Sequence, residues 1–360
     1  MEPLDIAIPI ASAFAVAAVA TPFVGRLALA IGAVDRPSER GVNERPNMPL
    51  MGGLAVGIAF AAGLIVINTL VEHEPDSRLG GLLLGGAVIL LTGMLDDRFG
   101  LNAWWKLSGQ LLAAGIAIAY GFRFGYVTDP LTREMLPLPS WLTWGVTTLW
   151  IIGITNALNL LDGLDGLAAG VGAIIAATLA LLAWQAGHPL GAFAGIALFG
   201  ALLGFLPHNF APARIFLGDT GALFVGFTLS LLALECYRRV SLITLVVPML
   251  ALAVPILDTA MSILRRLLRR RHIFRADRQH MHHRLLASEG SARAAVIQFY
   301  LLTGAFCLIA VSFTRLQGVA AAIFLVTVLV LTVRLLWNLG VLGSEEPPVA
   351  SSSEPSESPR

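Results

Sequence analysis

The sequence predicts an all-α polytopic membrane protein, and three observations support this fold class. The chain has 360 residues, of which 56% are hydrophobic and only 13% are charged, whereas soluble domains carry about 25% charged residues. Its apolar residues form runs of about 20, the length that a helix needs to cross ~30 Å of hydrocarbon. The sequence lacks the alternating ten-residue strands of a membrane β-barrel. Because lipid admits only helices or closed barrels as spanning structures, helices are predicted.

Eleven apolar runs are candidate transmembrane helices. The third run is short, so its helix must begin earlier or include the polar residues that follow it. The first run is interpreted as a retained span, because acidic residues precede it where a signal peptide carries lysine or arginine. The integral membrane domain is predicted to cover residues 1–340, and the polar tail 341–360 is predicted to be disordered. The runs lie near residues 6–28, 51–71, 80–95, 104–122, 141–158, 166–186, 190–208, 221–236, 241–264, 295–314 and 317–338.

Four polar clusters follow odd-numbered spans, so all four should emerge on one face of the membrane. They are "LDDRFG" after the third span, "NLLDGLDG" after the fifth, "FLGDTG" after the seventh and "DRQHMHH" after the ninth. Loops and adjoining helix ends on that face hold seventeen arginine and lysine residues, against six on the other face. The positive-inside bias makes the cluster face cytoplasmic, with the N-terminus outside and the C-terminus in the cytoplasm.

Carboxylates at the span ends are the first candidate site residues. Asp96 and Asp97 end the third span, and Asp219 lies between two glycines at the start of the eighth. A pair of aspartates can simply end a helix, and an aspartate near a helix N-terminus is an ordinary capping residue. The presence of further polar clusters on the same face favours a site. For Asp219 the alternative to capping is Mg²⁺, which prefers one or two carboxylates plus substrate phosphates.

The stretch "NALNLLDGLDG" places four polar residues at intervals of three, and these are Asn156, Asn159, Asp162 and Asp165. On a helix each such step slips ~60° around the axis, so the four cannot form a single stripe. A glycine follows each aspartate and permits unusual backbone angles and close ligand approach. We therefore expect the helix to end near Asp162 and the lower carboxylates to turn into a cavity. The alternative is an asparagine-rich packing seam followed by a turn.

Three histidines in the long loop after the ninth span form another candidate site: His280, His282 and His283. No cysteine or carboxylate has conventional zinc-site spacing around them, so zinc binding is disfavoured. Histidines beside Arg275 or Arg278 suit an anionic phosphate better.

Taken together, these motifs resemble the polyprenyl-phosphate N-acetylhexosamine-1-phosphate transferase family. The matching elements run in family order over residues 34–286: "VDRPSER…PLMGG", "LDDRFG", "NALNLLDGLDGL", "FLGDTG" and "ADRQHMHHRLL". The last element looks like the N-acetylglucosamine branch. In the phospho-MurNAc-pentapeptide branch three adjacent histidines typically precede Phe-Glu, whereas here Met281 interrupts them and Arg284 follows. Asn43 also departs from the family, whose loops often carry histidine there.

The resemblance implies a reaction and its location. N-acetylglucosamine-1-phosphate, or a close N-acetylhexosamine-1-phosphate, passes from a UDP-sugar to a polyprenyl phosphate, with release of UMP, at the cytoplasmic face of the inner membrane. This step starts a cell-envelope glycan. The implied partners are the two substrates and the lipid bilayer, without nucleic acid, and a homodimer is compatible with the family. The alternatives are a phospho-MurNAc-pentapeptide transferase and an ion-coupled transporter, although transporters place ionisable groups near the midplane rather than at span ends.

The resemblance also implies roles for the candidate residues. Asp219 would ligate Mg²⁺, or Mn²⁺ in its place, and Asp96 and Asp97 would be catalytic. A phosphate monoester loses its second proton near pH ~6, so a general base gains little and a positioning role for Asp96 is favoured. The implied nucleotide-sugar residues are Asn159, Asp162, Asp165, His280, His282, His283 and Arg275.

Overall fold

The computed structural model of this chain describes residues 3–35, 47–70, 76–128, 135–237, 242–268, 285–286, 290–316 and 318–338. Of these described residues, 83% are helical, which confirms the predicted all-α polytopic class. The contacts divide the chain into two compact units, Met1–Leu316 and Gln317–Arg360. The tail 341–360, predicted to be disordered, lies outside the described residues.

The helices of the first unit follow the apolar runs closely. Their bounds are α1 Pro3–Ile31, α2 Gly52–Leu70, α3 Arg78–Phe99, α4 Ala103–Ala119, α5 Ser140–Leu161, α6 Leu167–Gln185, α7 Pro189–Asn209, α8 Gly218–Tyr237, α9 Leu242–Ala251, α10 Ala253–Leu268 and α11 Ala292–Phe313. Two short antiparallel strands, β1 Tyr126–Thr128 and β2 Met135–Pro137, add a hairpin that the all-α prediction did not include. In the second unit, α12 spans Gly318–Asn338.

Within the described ranges, eight helices are long and apolar enough to cross a membrane: α1, α2, α3, α5, α6, α7, α8 and α11. The count of eleven spans stays a prediction, because α4 has 17 residues, the ninth run forms two helices, α9 and α10, and the apolar stretch found in α12 is the shorter Ile323–Arg334. Those two helices separate at Leu252. Pro255 accounts for this break, since proline has no N–H to donate to the preceding turn. The short third run extends in both directions, and its helix includes Asp96 and Asp97.

Helix packing brings several helix ends together. α3 packs on α4 and α8, and α5 packs on α4, α8 and α10. An ion pair between Arg78, the first residue of α3, and Glu235, near the end of α8, shows that these two helices are antiparallel. The end of α3 that carries Asp96 and Asp97 therefore lies beside the start of α8, which carries Asp219.

Two glycines allow the backbones of α2 and α3 to approach the start of α8. A Cβ atom at Gly53 would overlap the backbone of Gly221, and a Cβ atom at Gly93 would overlap the backbone of Thr220. Small residues are what permit such close approach between helices in membranes. We infer that a larger residue at either glycine would displace the first turn of α8.

Candidate active site

Helix ends from five elements meet around Asp219. The C-terminal ends of α3 and α5 and the N-terminal ends of α2, α4 and α8 lie together, as the contacts between them show. This arrangement agrees with the prediction that the polar clusters of the third, fifth and seventh spans emerge on one face.

The carboxylate of Asp219 is held from two sides. Asn159 Nδ2 donates a hydrogen bond of 2.6 Å to Asp219 Oδ1. The ammonium group of Lys106, in the first turn of α4, contacts Asp219 Oδ2. The same ammonium group lies 2.6 Å from Asp96 Oδ2. One lysine therefore joins carboxylates from α3 and α8. We call Asp96, Lys106, Asn159 and Asp219 the carboxylate cluster.

Asp97 has a different set of partners from Asp96. Its Oδ1 accepts a hydrogen bond of 2.8 Å from the backbone N–H of Asp219. Its Oδ2 accepts from the backbone N–H of Thr220 at 3.2 Å and from Thr220 Oγ1 at 2.6 Å. The first N–H groups of a helix have no partner within that helix, and a negative charge there is favourable. Asp97 thus caps α8 from a neighbouring helix.

Asp96 also closes the end of its own helix. Its Oδ1 accepts a hydrogen bond of 2.6 Å from the backbone N–H of Leu101. The chain can turn there because Gly100 adopts a left-handed conformation with a φ of 66°. Asn102 then caps α4 by accepting hydrogen bonds of 3.1 Å from the backbone of Trp104 and Trp105. These contacts direct Lys106 toward Asp96.

The "PLMGG" segment before α2 supports the start of α8. The backbone N–H of Phe216 donates to Pro49 at 2.9 Å, while Gly52 and Gly53 donate to Phe216 and Leu217 at 3.0 and 2.9 Å. This strand-like pairing holds the residues just before Asp219. The remainder of the loop, residues 36–46, lies outside the described residues.

Helix α5 ends at Leu161, which confirms the prediction that the helix gives way near Asp162. Asp165 Oδ2 accepts a hydrogen bond of 2.9 Å from the backbone N–H of Ala213, so it ties this turn to the loop after α7. The carboxylate of Asp162 accepts no hydrogen bond from any described residue. Burial, together with the nearby carboxylates of Asp219, Asp97 and Asp165, raises the pKa of Asp162 to about 8.

The raised pKa of Asp162 makes stability depend on pH. Between its ordinary pKa of 3.8 and about 8, the folded protein holds a proton that the unfolded chain releases. Stability attributable to this group is therefore greatest below pH 3.8 and is lost as the pH rises toward 8. An Asp162→Asn variant lacks this loss. Its melting temperature in detergent should exceed that of the wild type by more at pH 8.5 than at pH 5, and an equal difference at both would contradict the assignment.

Four of the predicted site residues lie in a part of the chain that the structure does not describe: Arg275, His280, His282 and His283. Conversely, sequence reasoning missed Lys106 and Thr220 as members of this region. In the sequence, Lys106 contributes only to the excess of positive charge on the cluster face, although a lysine in the first turn of an apolar helix itself indicates a polar partner. Thr220 directly follows Asp219 in "GDTG". A threonine at a helix start is readily explained as a capping residue, so the sequence offers no separate indication of its contact with Asp97.

The residues present suit a hard divalent cation. Asp96 and Asp219 direct carboxylate oxygens at one point, where they already share a cationic ammonium group. Asp97 and Asp162 add further carboxyl groups, so among the described residues of this site acidic groups outnumber the ammonium group of Lys106. Among the described residues no three His, Cys, Asp or Glu side chains form a metal cluster. The two converging carboxylates of Asp96 and Asp219 suit Mg²⁺, which takes one or two carboxylates and completes its coordination with water and substrate phosphates.

Comparisons with known proteins place the carboxylate cluster within a region shared with a protein family. The family model described as "Glycosyl transferase family 4" matches residues 79–237, which run from α3 to α8 and include the whole carboxylate cluster. A probable undecaprenyl-phosphate N-acetylglucosaminyl 1-phosphate transferase of Bacillus subtilis is 38% identical over 91% of this chain and 89% of the relative. A decaprenyl-phosphate N-acetylglucosaminephosphotransferase of Mycolicibacterium smegmatis is 33% identical over 91% of this chain and 88% of the relative.

A more distant similarity extends to the other branch considered from the sequence. A phospho-N-acetylmuramoyl-pentapeptide-transferase of Caldicellulosiruptor bescii is 30% identical over 76% of this chain and 86% of the relative. These similarities cover most of the chain, and they confirm the resemblance that the motifs predicted. The protein is an integral membrane member of glycosyl transferase family 4.

Proposed function

We propose that this protein transfers N-acetylglucosamine-1-phosphate from UDP-N-acetylglucosamine to a polyprenyl phosphate and thereby starts a cell-envelope glycan. An oxygen of the lipid phosphate attacks the β-phosphorus of the nucleotide sugar, and the bond to the leaving UMP breaks. One phosphoanhydride replaces another. The observation that carries the proposal is the carboxylate cluster at the ends of membrane-length helices, in a chain 38% identical to a relative of that name.

Two exposed tryptophans beside the carboxylate cluster support a position near the lipid headgroups, where a lipid phosphate lies. Trp104 and Trp105 are strongly exposed and directly precede Lys106. Exposed tryptophans in membrane proteins are enriched at the interface with water, where lipid headgroups lie. A phosphate on a lipid could therefore reach Lys106 and Asp96 without leaving the bilayer, while a water-soluble nucleotide sugar could enter from the aqueous side.

The carboxylate cluster must allow two negatively charged phosphates to come together. Two anionic phosphates must approach each other in a region where, in the described part of the chain, carboxyl groups outnumber the ammonium group of Lys106. Asp219 would hold Mg²⁺, or Mn²⁺, with Asp96 beside it, and the bound cation would offset phosphate repulsion and stabilise charge in the transition state. Lys106 holds the two carboxylates together, and Asn159 orients the carboxylate of Asp219.

The other predicted site residues divide into two roles in this proposal. Asp97 acts through the first turn of α8 and is a positioning residue, while Asp165 fixes the turn after α5. Asp162, whose carboxyl group has no partner among the described residues, contacts the nucleotide sugar. The loop group contacts the diphosphate or the sugar and comprises Arg275, His280, His282 and His283.

Orientation is also part of the proposal. The excess of arginine and lysine on the cluster face supports a site on the cytoplasmic side of the inner membrane. The N-terminus then lies outside and the C-terminus inside. Cysteine labelling tests this orientation. An impermeant reagent should react with Leu4→Cys from the outer side of the membrane and with Ser108→Cys from the cytoplasmic side.

The function is tested with purified protein in detergent. We expect UMP release when UDP-N-acetylglucosamine, a polyprenyl phosphate and Mg²⁺ are all present, and no release when any one is omitted. UDP-MurNAc-pentapeptide is the competing donor, motivated by the relative that is 30% identical. UMP release from that donor alone would assign the protein a different substrate. No UMP release from any UDP-sugar would reject the enzyme proposal in favour of transport.

A further inference from the structure

A pair of side-chain amides joins α4 to α5, and of the two Gln110 is buried and Asn156 half-buried. Asn156 Nδ2 donates to Gln110 Oε1 at 2.7 Å, and Gln110 Nε2 donates to Asn156 Oδ1 at 3.2 Å. Asn156 Nδ2 also donates to the backbone oxygen of Ile152 at 2.8 Å. Gln110 is only 3% exposed. Each amide both donates to and accepts from the other. This requires the NH₂ group of each amide to face the oxygen of the other.

This amide pair lies one helical turn below the carboxylate cluster. Gln110 is four residues after Lys106 on α4, and Asn156 is three residues before Asn159 on α5. Residues three or four apart lie on the same helix face, with about 5–6 Å between their Cβ atoms. The helix turn that carries Lys106 and the turn that carries Asn159 are therefore each anchored by one member of the pair.

The third helix of the cluster also contacts this layer. A Cβ atom at Gly109 would overlap the side chain of Thr92, which lies one turn before Asp96 on α3. Gly109 is adjacent to Gln110, so α3 and α4 are in close contact at the same level. The layer beneath the cluster thus fixes the three helices that supply Asp96, Lys106 and Asn159.

We propose that the Gln110–Asn156 amide pair is a positioning pair, which sets the spacing between α4 and α5 so that Lys106 and Asn159 grip Asp219 from opposite sides. In lipid the hydrophobic effect does not fix helices relative to one another, so packing and interhelical hydrogen bonds must do so. The inference deepens the proposed function and rests on it for its catalytic consequence. The effect on helix spacing is independent of that function.

Four variants separate positioning from stability: Asn156→Leu, Gln110→Leu, the double leucine variant and the exchange Q110N/N156Q. Asn156→Leu leaves the buried amide of Gln110 without this partner, and Gln110→Leu leaves Asn156 Oδ1 without its donor, so both the melting temperature and kcat should fall. The double leucine variant leaves neither amide unpaired, so its melting temperature should recover. Its kcat should remain on the order of 10-fold or more below wild type, because small misplacements of catalytic groups are costly. Recovery of kcat together with stability would overturn the proposal.

The exchange variant retains both amides and the same number of methylene groups between the helices. Spin labels at Ser108 on α4 and Leu160 on α5, both exposed at the surface of the protein, report the spacing without requiring activity. We expect a narrow distance distribution in wild type, a broadened one in Asn156→Leu and a narrow one in the exchange variant, with kcat restored to within about threefold. An unchanged distribution in Asn156→Leu would overturn the proposal, as would an exchange variant with restored spacing and low kcat.

Trp150→Phe is the matched control. It removes another interhelical hydrogen bond of α5, from Trp150 Nε1 to the backbone oxygen of Ser230 at 3.1 Å, distant from the cluster. Its kcat should stay close to wild type, and a loss equal to that of Asn156→Leu would overturn the proposal. If wild type releases no UMP, the proposed function fails, whereas the label distances still decide whether the pair sets helix spacing.

Discussion

Asp219→Asn is expected to lower Mg²⁺-dependent UMP release on the order of 10³-fold or more while the protein remains folded. The carboxylate of Asp219 accepts from Asn159 on one oxygen and from Lys106 on the other. An asparagine has a similar volume, but one of its two acceptors becomes an NH₂ donor that must oppose either the lysine or the amide of Asn159. The variant also loses the negative charge that would hold the cation.

Initial rates of UMP release across a range of Mg²⁺ concentrations, together with the melting temperature in detergent, measure this effect. Asp76→Asn is the matched control, because Asp76 pairs with Arg78 at the opposite end of α3 and does not contact the cluster. The control should retain most of the wild-type rate. An active Asp219→Asn variant with an unchanged Mg²⁺ requirement would exclude Asp219 as the metal ligand.

Lys106→Met is expected to have the second-largest effect, a loss of roughly 10²-fold in kcat/KM. Removal of the ammonium group leaves the carboxylates of Asp96 and Asp219 close together without their shared cation. Like charges at such distances repel strongly, so the metal-free protein should melt at a lower temperature. Added Mg²⁺ relieves the same repulsion and should therefore raise the melting temperature of the variant more than that of wild type.

The melting temperatures of both proteins, with and without Mg²⁺, test this explanation. Arg98→Gln is the control for loss of a positive charge near the site: Arg98 follows Asp97 directly, but its guanidinium lies over the ring of Phe99. That variant should show the wild-type response to Mg²⁺. An identical Mg²⁺-induced shift in Lys106→Met and wild type would show that Lys106 does not compensate the two carboxylates.

Most of the fold could be predicted from local sequence, because helix length and apolarity are themselves imposed by the bilayer. The end of α5 at Leu161 was predicted from the drift of the three-residue spacing and from the glycines that follow. The break between α9 and α10 was not predicted, since an uninterrupted apolar run masks the effect of Pro255. The hairpin of β1 and β2 was also missed, because its two strands have only three residues each.

The candidate site could be predicted in part. Parity along the chain brought Asp96, Asp97, Asn159 and Asp219 to one face, and the structure places these residues in contact. The different partners of the two aspartates in "LDD" could not be predicted, because adjacent residues on a helix point in different directions and which neighbour each meets depends on the packing. Asp96 therefore meets Lys106, while Asp97 meets the backbone of Asp219 and Thr220.

By itself, the sequence determined which segments form long apolar helices and which end of each helix carries the polar groups, because both follow from the composition of each segment. Only the tertiary structure decided which polar atoms pair. The choice of Lys106 as the shared cation, and of Gln110 as the partner of Asn156, depends on how α3, α4, α5 and α8 are rotated and spaced. That geometry arises from contacts between helices distant in sequence, such as Gly53 on Gly221, which no local pattern records.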